Sequence, residues 1–334
     1  MAKKLKVVVT DYIEPDLDWE TQQFAERGID FECAQLKFEP ESKVIDFTRD
    51  ADVVVVNMVK ITEAVIDSWT NCKVVVRHGA GYDNVDVDAL TKRDILLEYI
   101  PDYCTHEVAE QAIGLMFACA RKVLWSQKVM YDSVERGEWD FRPIHPMFRL
   151  DGRTIGIVGC GRIGSLVYKK LEHFGVKFLI CDPYLSERRR KGLGIETTDL
   201  KTLCEGSDFV TVHTPLNDDT RKLINAEVLS WMKPTAYLVN TSRGGMVDHE
   251  ALAAALKSKQ IAGAAIDVYE TEPPKPDFPL IGLDNVLLTP HLSWYSEDSD
   301  RSIREKIVEA VDMYATGKSP RLAVNAEVVE RWKD

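Results

Sequence analysis

Short, β-branched apolar runs alternate with helix-compatible segments along this chain, and the alternation occurs as two successive sets. In the first set, residues 5–10 (LKVVVT), 51–57 (ADVVVVN), 72–77 (CKVVVR) and 95–99 read as strands. The first reads as a strand buried on both faces, and the others are further apolar, largely β-branched runs. Helical segments are predicted over 17–27, ending at Gly28, and over 63–69. In the second set, strands are predicted around Ile155–Val158, 177–181, 208–213, 236–240, 262–268 and 286–288. Helices are predicted after Gly164, over 200–204, 226–232 and 249–257, and as a long element over 297–316 followed by Gly317 and a short tail. Strands alternating with helices imply parallel sheets joined by right-handed crossovers. Between the sets, 105–123 reads as a helix whose apolar face is broad enough to be buried by another domain or subunit. The stretch 131–150, with Trp139, Phe141, Pro143, Pro146 and Phe148, reads as a structured loop.

The second set opens on Gly159-Cys160-Gly161-Arg162-Ile163-Gly164, between a strand and a helix, and its next strand closes on Asp182. Strand, glycine turn, helix, strand and terminal acid form a dinucleotide-binding unit. Gly159 permits the tight turn, Gly161 admits a pyrophosphate close to the backbone, and Gly164 lets helix and strand approach. The helix N-terminus offers free N–H groups and the positive end of its dipole. Asp182 stands where an acid accepts hydrogen bonds from the adenosine ribose. A basic run at 188–191 could neutralise the extra phosphate of NADP, but Asp182 would repel that phosphate. The run reads better as a solvated helix face, and NAD is favoured over NADP.

Size and charge narrow the picture further. With 334 residues, two domains are expected. The net charge of -12 argues against nucleic acid or an anionic membrane as partner, since both reward excess Lys and Arg. No signal peptide and no apolar run approaching membrane-span length is evident, and seven cysteines without a CxxC pair fit a reduced compartment. A cytoplasmic protein is expected. The histidines show no paired metal spacing, so no metal is predicted.

In doubly wound sheets, ligands meet the carboxyl ends of strands. Four polar clusters end predicted strands of the second set: 213–215 (HTP), 240–245 (NTSRGG), 267–273 (DVYETEP) and 289–291 (TPH). Hydride transfer to a ketone needs a proton donor and a cation beside the carbonyl. His291 is the candidate donor, with Glu272 or Asp267 as the carboxylate favouring its charged form. Arg243, flanked by glycines that leave room for a ligand, could clamp a 2-oxo acid. His213 reads as a residue that fixes its turn. In the first set, His78-Gly79-Ala80-Gly81 at a strand end offers bare backbone N–H groups, a natural anion site.

With these motifs in order, namely GAGYDNVD (79–86), VAE (108–110), VGCGRIG (158–164), HTPL (213–216), NTSRGG (240–245), DVYETEPP (267–274) and TPH (289–291), the chain resembles the D-isomer-specific 2-hydroxyacid dehydrogenases. The resemblance covers essentially the whole length. It implies an NAD-dependent oxidoreductase that interconverts a 2-oxo acid and a D-2-hydroxy acid. Arg243 would bind the substrate, His291 would be the acid/base, and Glu272 would orient and charge it. The cofactor would meet Gly159, Gly161, Arg162, Ile163, Gly164 and Asp182, with Thr214, Pro215 and Thr220 bordering adenosine and phosphates. Val108, the Thr241 carbonyl and Asp267 would complete that site, Asp267 on the nicotinamide carboxamide.

The backbone at Ala80 and Gly81 would hold the substrate carboxylate. The resemblance further implies a Rossmann NAD-binding domain (104–295) inserted into a flavodoxin-like substrate domain (1–103 and 296–334), each an α/β unit with a doubly wound parallel sheet. The helix near 105–123 would build a homodimer. TPHLSWYSED (289–298) and CDPYLS (181–186) are most similar to the branch containing the C-terminal-binding proteins, which are corepressors with a dehydrogenase fold. There Trp294 would wall the substrate pocket. That branch also supplies the competing expectation, an NAD-sensing protein-binding module with little turnover.

Overall fold

The computed structural model describes residues 4–331 and resolves two compact units. One runs through Cys104 and resumes at Ser296; the other is Thr105–Tyr295.

The first unit carries strands β1 (Lys6–Val9), β2 (Asp30–Cys33), β3 (Val53–Val56), β4 (Val74–Arg77) and β5 (Leu96–Tyr99). They form one parallel sheet in the order β2-β1-β3-β4-β5, a doubly wound order. Alternate residues of each strand serve opposite cores. Val7, Val9, Val53, Val55, Val74 and Val76 pack with Phe24, Ile303, Ile307 and Val311. Val8, Val54, Val56, Val75 and Leu97 pack with Val65, Ile66 and Leu90 on the other face. Burial on both sides explains why these strands show no polar alternation.

The second unit carries β6 (Thr154–Val158), β7 (Lys177–Cys181), β8 (Phe209–Val212), β9 (Tyr237–Asn240), β10 (Gly263–Ile266) and β11 (Val286–Leu288). Their order is β11-β10-β9-β8-β6-β7, every pairing parallel. The chain reverses its direction of progress between β6 and β8, which opens a crevice at their carboxyl ends. The two parallel-sheet α/β units match the expected fold class.

Several elements differ from the sequence reading. The helix over 105–123 stops at Ala120, and a second helix, Val123–Arg136, replaces most of the expected loop. The break falls at Lys122, whose φ of 49° is left-handed and ends one helix while starting the next. The broad apolar face of Thr105–Ala120 is covered within its own unit. Ala109, Ala112, Met116 and Cys119 pack with Ile155, Ile157, Val167 and Val239 of the six-stranded sheet and its helices. The exposed apolar surface lies further on, at Val123, Leu124, Met130, Tyr131, Val134, Trp139, Phe141 and Phe148.

The sequence reading also misses β2 and the helices Glu41–Thr48, Val87–Lys92 and Ala326–Arg331. β2 (DFEC) is a mostly exposed edge strand whose charges suit its solvent face and hide its apolar signal. No helix among the described residues is long and apolar enough to cross a membrane.

Candidate active site

The glycine unit folds as its spacing dictates. Gly159 has φ +87°, and a Cβ there would lie 2.6 Å from Thr214 Cγ2 and 2.8 Å from the His213 carbonyl oxygen. At Gly164 a Cβ would stand 2.1 Å from the Gly159 carbonyl oxygen, so both glycines are required by packing. Gly161 differs: a Cβ there would meet nothing within 4 Å. Gly161 is also the N-cap of helix Arg162–Leu171, and no side chain caps the free N–H groups there. An open cradle at a bare helix N-terminus is what a pyrophosphate needs.

Asp182 closes β7 half-buried. Its carboxylate accepts from the Cys160 N–H at 2.8 Å and the Tyr184 N–H at 3.0 Å, which ties the acid to the glycine turn. These residues fit a dinucleotide. The basic run forms a helix, Glu187–Leu193, but it is not wholly solvated: Arg189 Nη2 donates to the Gly161 carbonyl at 3.2 Å.

The four strand-end clusters take different parts. After β8, His213 is buried and its Nε2 sits 2.9 Å from Thr211 Oγ1, while Nδ1 is buried without a partner. Burial pushes its imidazole down to about 3, so it is neutral at physiological pH and serves the turn. Thr214, half-buried, directs Oγ1 to Met246 Sδ at 3.5 Å. Thr220 closes the turn from Pro215, its Oγ1 donating to the Pro215 carbonyl at 2.7 Å.

After β9, Asn240 Nδ2 donates to the Arg243 carbonyl at 3.0 Å, and Arg243 Nη1 to the Ser242 carbonyl at 2.9 Å. Thr241 Oγ1 is buried without a partner. One expectation is corrected here. A Cβ on Gly244 would stand 2.0 Å from the Tyr269 carbonyl carbon. That glycine therefore makes room for the 269–270 backbone, not for a ligand.

Asp267, after β10, has zero exposure. Its carboxylate accepts the Leu292 N–H and the Ser293 N–H, each at 2.9 Å, and the hydroxyls of Thr289 and Ser293. The side chain thus anchors the 289–293 loop. That loop holds His291 at φ +55°, a left-handed conformation a histidine rarely adopts, with its N–H bonded to the Asp267 carbonyl at 2.8 Å. Tyr269, to which the sequence reading gave no role, braces the same loop through its hydroxyl, 2.8 Å from the Thr289 carbonyl.

His291 Nδ1 lies 2.7 Å from Glu272 Oε2, and Glu272 Oε1 accepts the Tyr269 N–H at 3.0 Å. Burial would raise the Glu272 carboxyl. The hydrogen bond and charge of His291, the Tyr269 N–H and the charge of Arg243 outweigh burial and hold it below the usual carboxylate range. Of the two carboxylates that the residues left open, Glu272 is the partner. The His291 side chain is 36% exposed and Nε2 has no protein partner among the described residues, so that nitrogen is open to a ligand. Such an arrangement can give and take a proton at Nε2.

Trp294 follows half-buried, edge-on to Tyr295 at 5.2 Å between ring centroids. Val108 is buried in helix Thr105–Ala120. In the first unit, Gly81 is half-buried and Ala80 exposed, and neither N–H meets a protein acceptor among the described residues. Among the described residues no group of three or more His, Cys, Asp or Glu could hold a metal. A cavity of about 650 Å³ in the second unit is lined by Phe148, Arg153, Asp208 and Tyr237 at the amino ends of the strands, and no expected site residue lines it.

A dinucleotide cradle with a carboxylate-backed histidine on the same sheet defines a nicotinamide-dependent oxidoreductase. Residues 113–293 match the NAD-binding domain of the D-isomer-specific 2-hydroxyacid dehydrogenases, and the chain belongs to that family. A glyoxylate reductase of Korarchaeum cryptofilum is 38% identical over 323 residues, covering 93% of this chain and 96% of its own length. A D-3-phosphoglycerate dehydrogenase of Methanocaldococcus jannaschii is 37% identical over 96% of this chain; the chain spans 59% of that relative. Among solved structures, an NADPH-dependent glyoxylate/hydroxypyruvate reductase of Sinorhizobium meliloti, in complex with NADP and malonate, superposes with a TM-score of 0.84. It is 29% identical, with 96% of this chain and 97% of that one covered. These relatives carry dehydrogenase and reductase names and do not single out the corepressor branch.

Proposed function

We propose that the protein reduces a 2-oxo acid to the D-2-hydroxy acid with NADH. The observation that carries this reading is the 2.7 Å pair of His291 and an ionised Glu272, with Nε2 left open. The bound nicotinamide supplies the hydride. His291 Nε2 gives the proton to the nascent alkoxide, and the Glu272 carboxylate stabilises the imidazolium that precedes the step. Arg243 binds the substrate carboxylate and carbonyl, the N–H groups of Ala80 and Gly81 take the carboxylate, and Trp294 limits the side chain.

The dinucleotide rests on Gly159, Gly161, Arg162, Ile163 and Gly164. Thr214, Pro215, Thr220, Thr241 and Val108 border it, and Asp267 serves by holding the loop of His291. Asp182 at the ribose favours NAD over NADP by repelling a 2′-phosphate. Arg189, bonded to the Gly161 carbonyl, is the cation that would oppose that preference. The exposed apolar residues of helix Val123–Arg136 and of 139–148 are the surface for a homodimer. A reducing compartment suits its seven free cysteines.

The test is NADH oxidation at 340 nm against glyoxylate, hydroxypyruvate, pyruvate, 2-oxoisocaproate, 3-phosphohydroxypyruvate and phenylpyruvate, with NADPH in parallel. Turnover on at least one acid, faster with NADH, is expected. Silence on all of them with NADH tightly bound contradicts the reading.

A further inference from the structure

A buried ion pair stands at the entry to the glycine loop that the proposed function gives to the substrate carboxylate. His78 directly follows β4, and its N–H is fixed to the Val56 carbonyl at 2.8 Å. Gly79 is fixed on both sides, its N–H to the Arg77 carbonyl at 2.8 Å and its carbonyl to the Ile100 N–H at 3.0 Å. The next two N–H groups, of Ala80 and Gly81, meet no protein acceptor among the described residues. The His78 imidazole Nε2 lies 3.1 Å from Glu14 Oε1, and these side chains are 6% and 1% exposed.

Burial would raise the Glu14 carboxyl. The hydrogen bond and charge of His78, with backbone N–H groups that include that of Ile13, instead hold it at about 2. Glu14 is therefore ionised across the working pH range. A cationic His78 is what compensates it.

Stability does not demand this pair. Well-packed apolar residues of similar volume commonly do as well as a buried ion pair. What the pair provides is a fixed positive group two residues ahead of the free Ala80 N–H. We propose that His78, held by Glu14, is a positioning residue for the reaction: it sets the Gly79–Gly81 loop and adds the cationic field that draws the substrate carboxylate to it. The inference rests on the assignment of that loop to the substrate.

Other charges face the pair. Arg77 sends Nη1 to Asn57 Oδ1 at 3.4 Å and to the His78 carbonyl. From helix Glu297–Ala315, Asp300 is raised by burial and by the Glu14 charge, and Glu297 acts on it in the same sense. Arg304, from the same helix, is taken up by Glu20 through bonds of 2.6 and 2.7 Å. None of these replaces His78 at Glu14 Oε1.

The experiment is steady-state kinetics of the full-length protein on whichever 2-oxo acid of the panel it reduces best. His78→Leu, His78→Gln and Glu14→Gln are compared with wild type, with NADH affinity and circular dichroism measured on each. His78→Leu is expected to raise KM about tenfold or more, leaving kcat within about twofold and NADH affinity unchanged. His78→Gln keeps a hydrogen-bond donor without the charge and is expected to stay near the high KM. Glu14→Gln is expected to raise KM as well.

An unchanged KM in His78→Leu, or a wild-type KM in His78→Gln, overturns the inference while the dehydrogenase reading stands. If His78→Leu does not fold, His78→Gln and Glu14→Gln decide in the same way. Silence of the wild type on every acid overturns both.

Discussion

Two histidines end strands of the same six-stranded sheet, and their surroundings make them opposites. His213, at the exit of β8, is sealed in the core beside Thr211, with no carboxylate to stabilise a charge, and burial drives it to about 3. His291, beyond β11, is half-exposed, held by a loop tied to Asp267, and backed at 2.7 Å by an ionised Glu272. Residue type and place in the fold are the same; the carboxylate and the access to solvent differ. A strand-end histidine becomes an acid/base only when its charged form has a partner and its other nitrogen has somewhere to deliver the proton.

The sharpest way to break the comparison is His291→Ala. Loss of the proton donor should cost on the order of 10²–10⁴ in turnover. NADH binding, measured by fluorescence titration, should persist, because the proposed dinucleotide contacts lie elsewhere. Unchanged turnover would make His291 as structural as His213.

The glycine cradle allows a similar separation of ligand from packing. Gly164→Ala places a Cβ 2.1 Å from the Gly159 carbonyl and should destabilise the second unit by about 1–3 kcal/mol in denaturant unfolding. Gly161→Ala meets no protein atom within 4 Å and should leave the unfolding midpoint nearly unchanged. It should nonetheless weaken NADH about tenfold or more, roughly the loss of 1.4 kcal/mol. Equal destabilisation by both variants would mean that Gly161 is a packing glycine too.

A pH dependence of stability is also expected from His213. The unfolded chain takes up this proton near 6.5, while the native state refuses it until about 3. Between those values the unfolded state binds more protons, so the contribution is complete above pH 6.5 and is lost as pH falls toward 3. His213→Gln should flatten the decline in unfolding free energy below pH 6.5. Glu14, in the other unit, is depressed from 4.5 to about 2, so its contribution is complete above 4.5 and is lost only below that value.

Much of the site was legible because its signals are local. Gly159, Gly161 and Gly164 announce a turn by spacing, and Asp182 closes the next strand. The apolar runs mark the parallel strands because both their faces are buried. The roles of Gly244 and Asp267 were not legible. One depends on how closely the 269–270 backbone passes, and the other on a loop 22 to 26 residues away that folds back onto its carboxylate. Helix Val123–Arg136 was hidden because much of its apolar surface faces outward, where periodicity reads as irregularity. β2 was hidden by the charges that protect a sheet edge.

The measurement that tests the account most directly is the pH profile of kcat/KM for 2-oxo acid reduction, in wild type and in Glu272→Gln. A carboxylate that holds His291 and stabilises the imidazolium during proton transfer raises the rate. Its replacement by a neutral amide should lower the plateau by about tenfold or more. Profiles that superimpose would mean that Glu272 does not act on His291, and the assignment of this pair as the acid/base would fail.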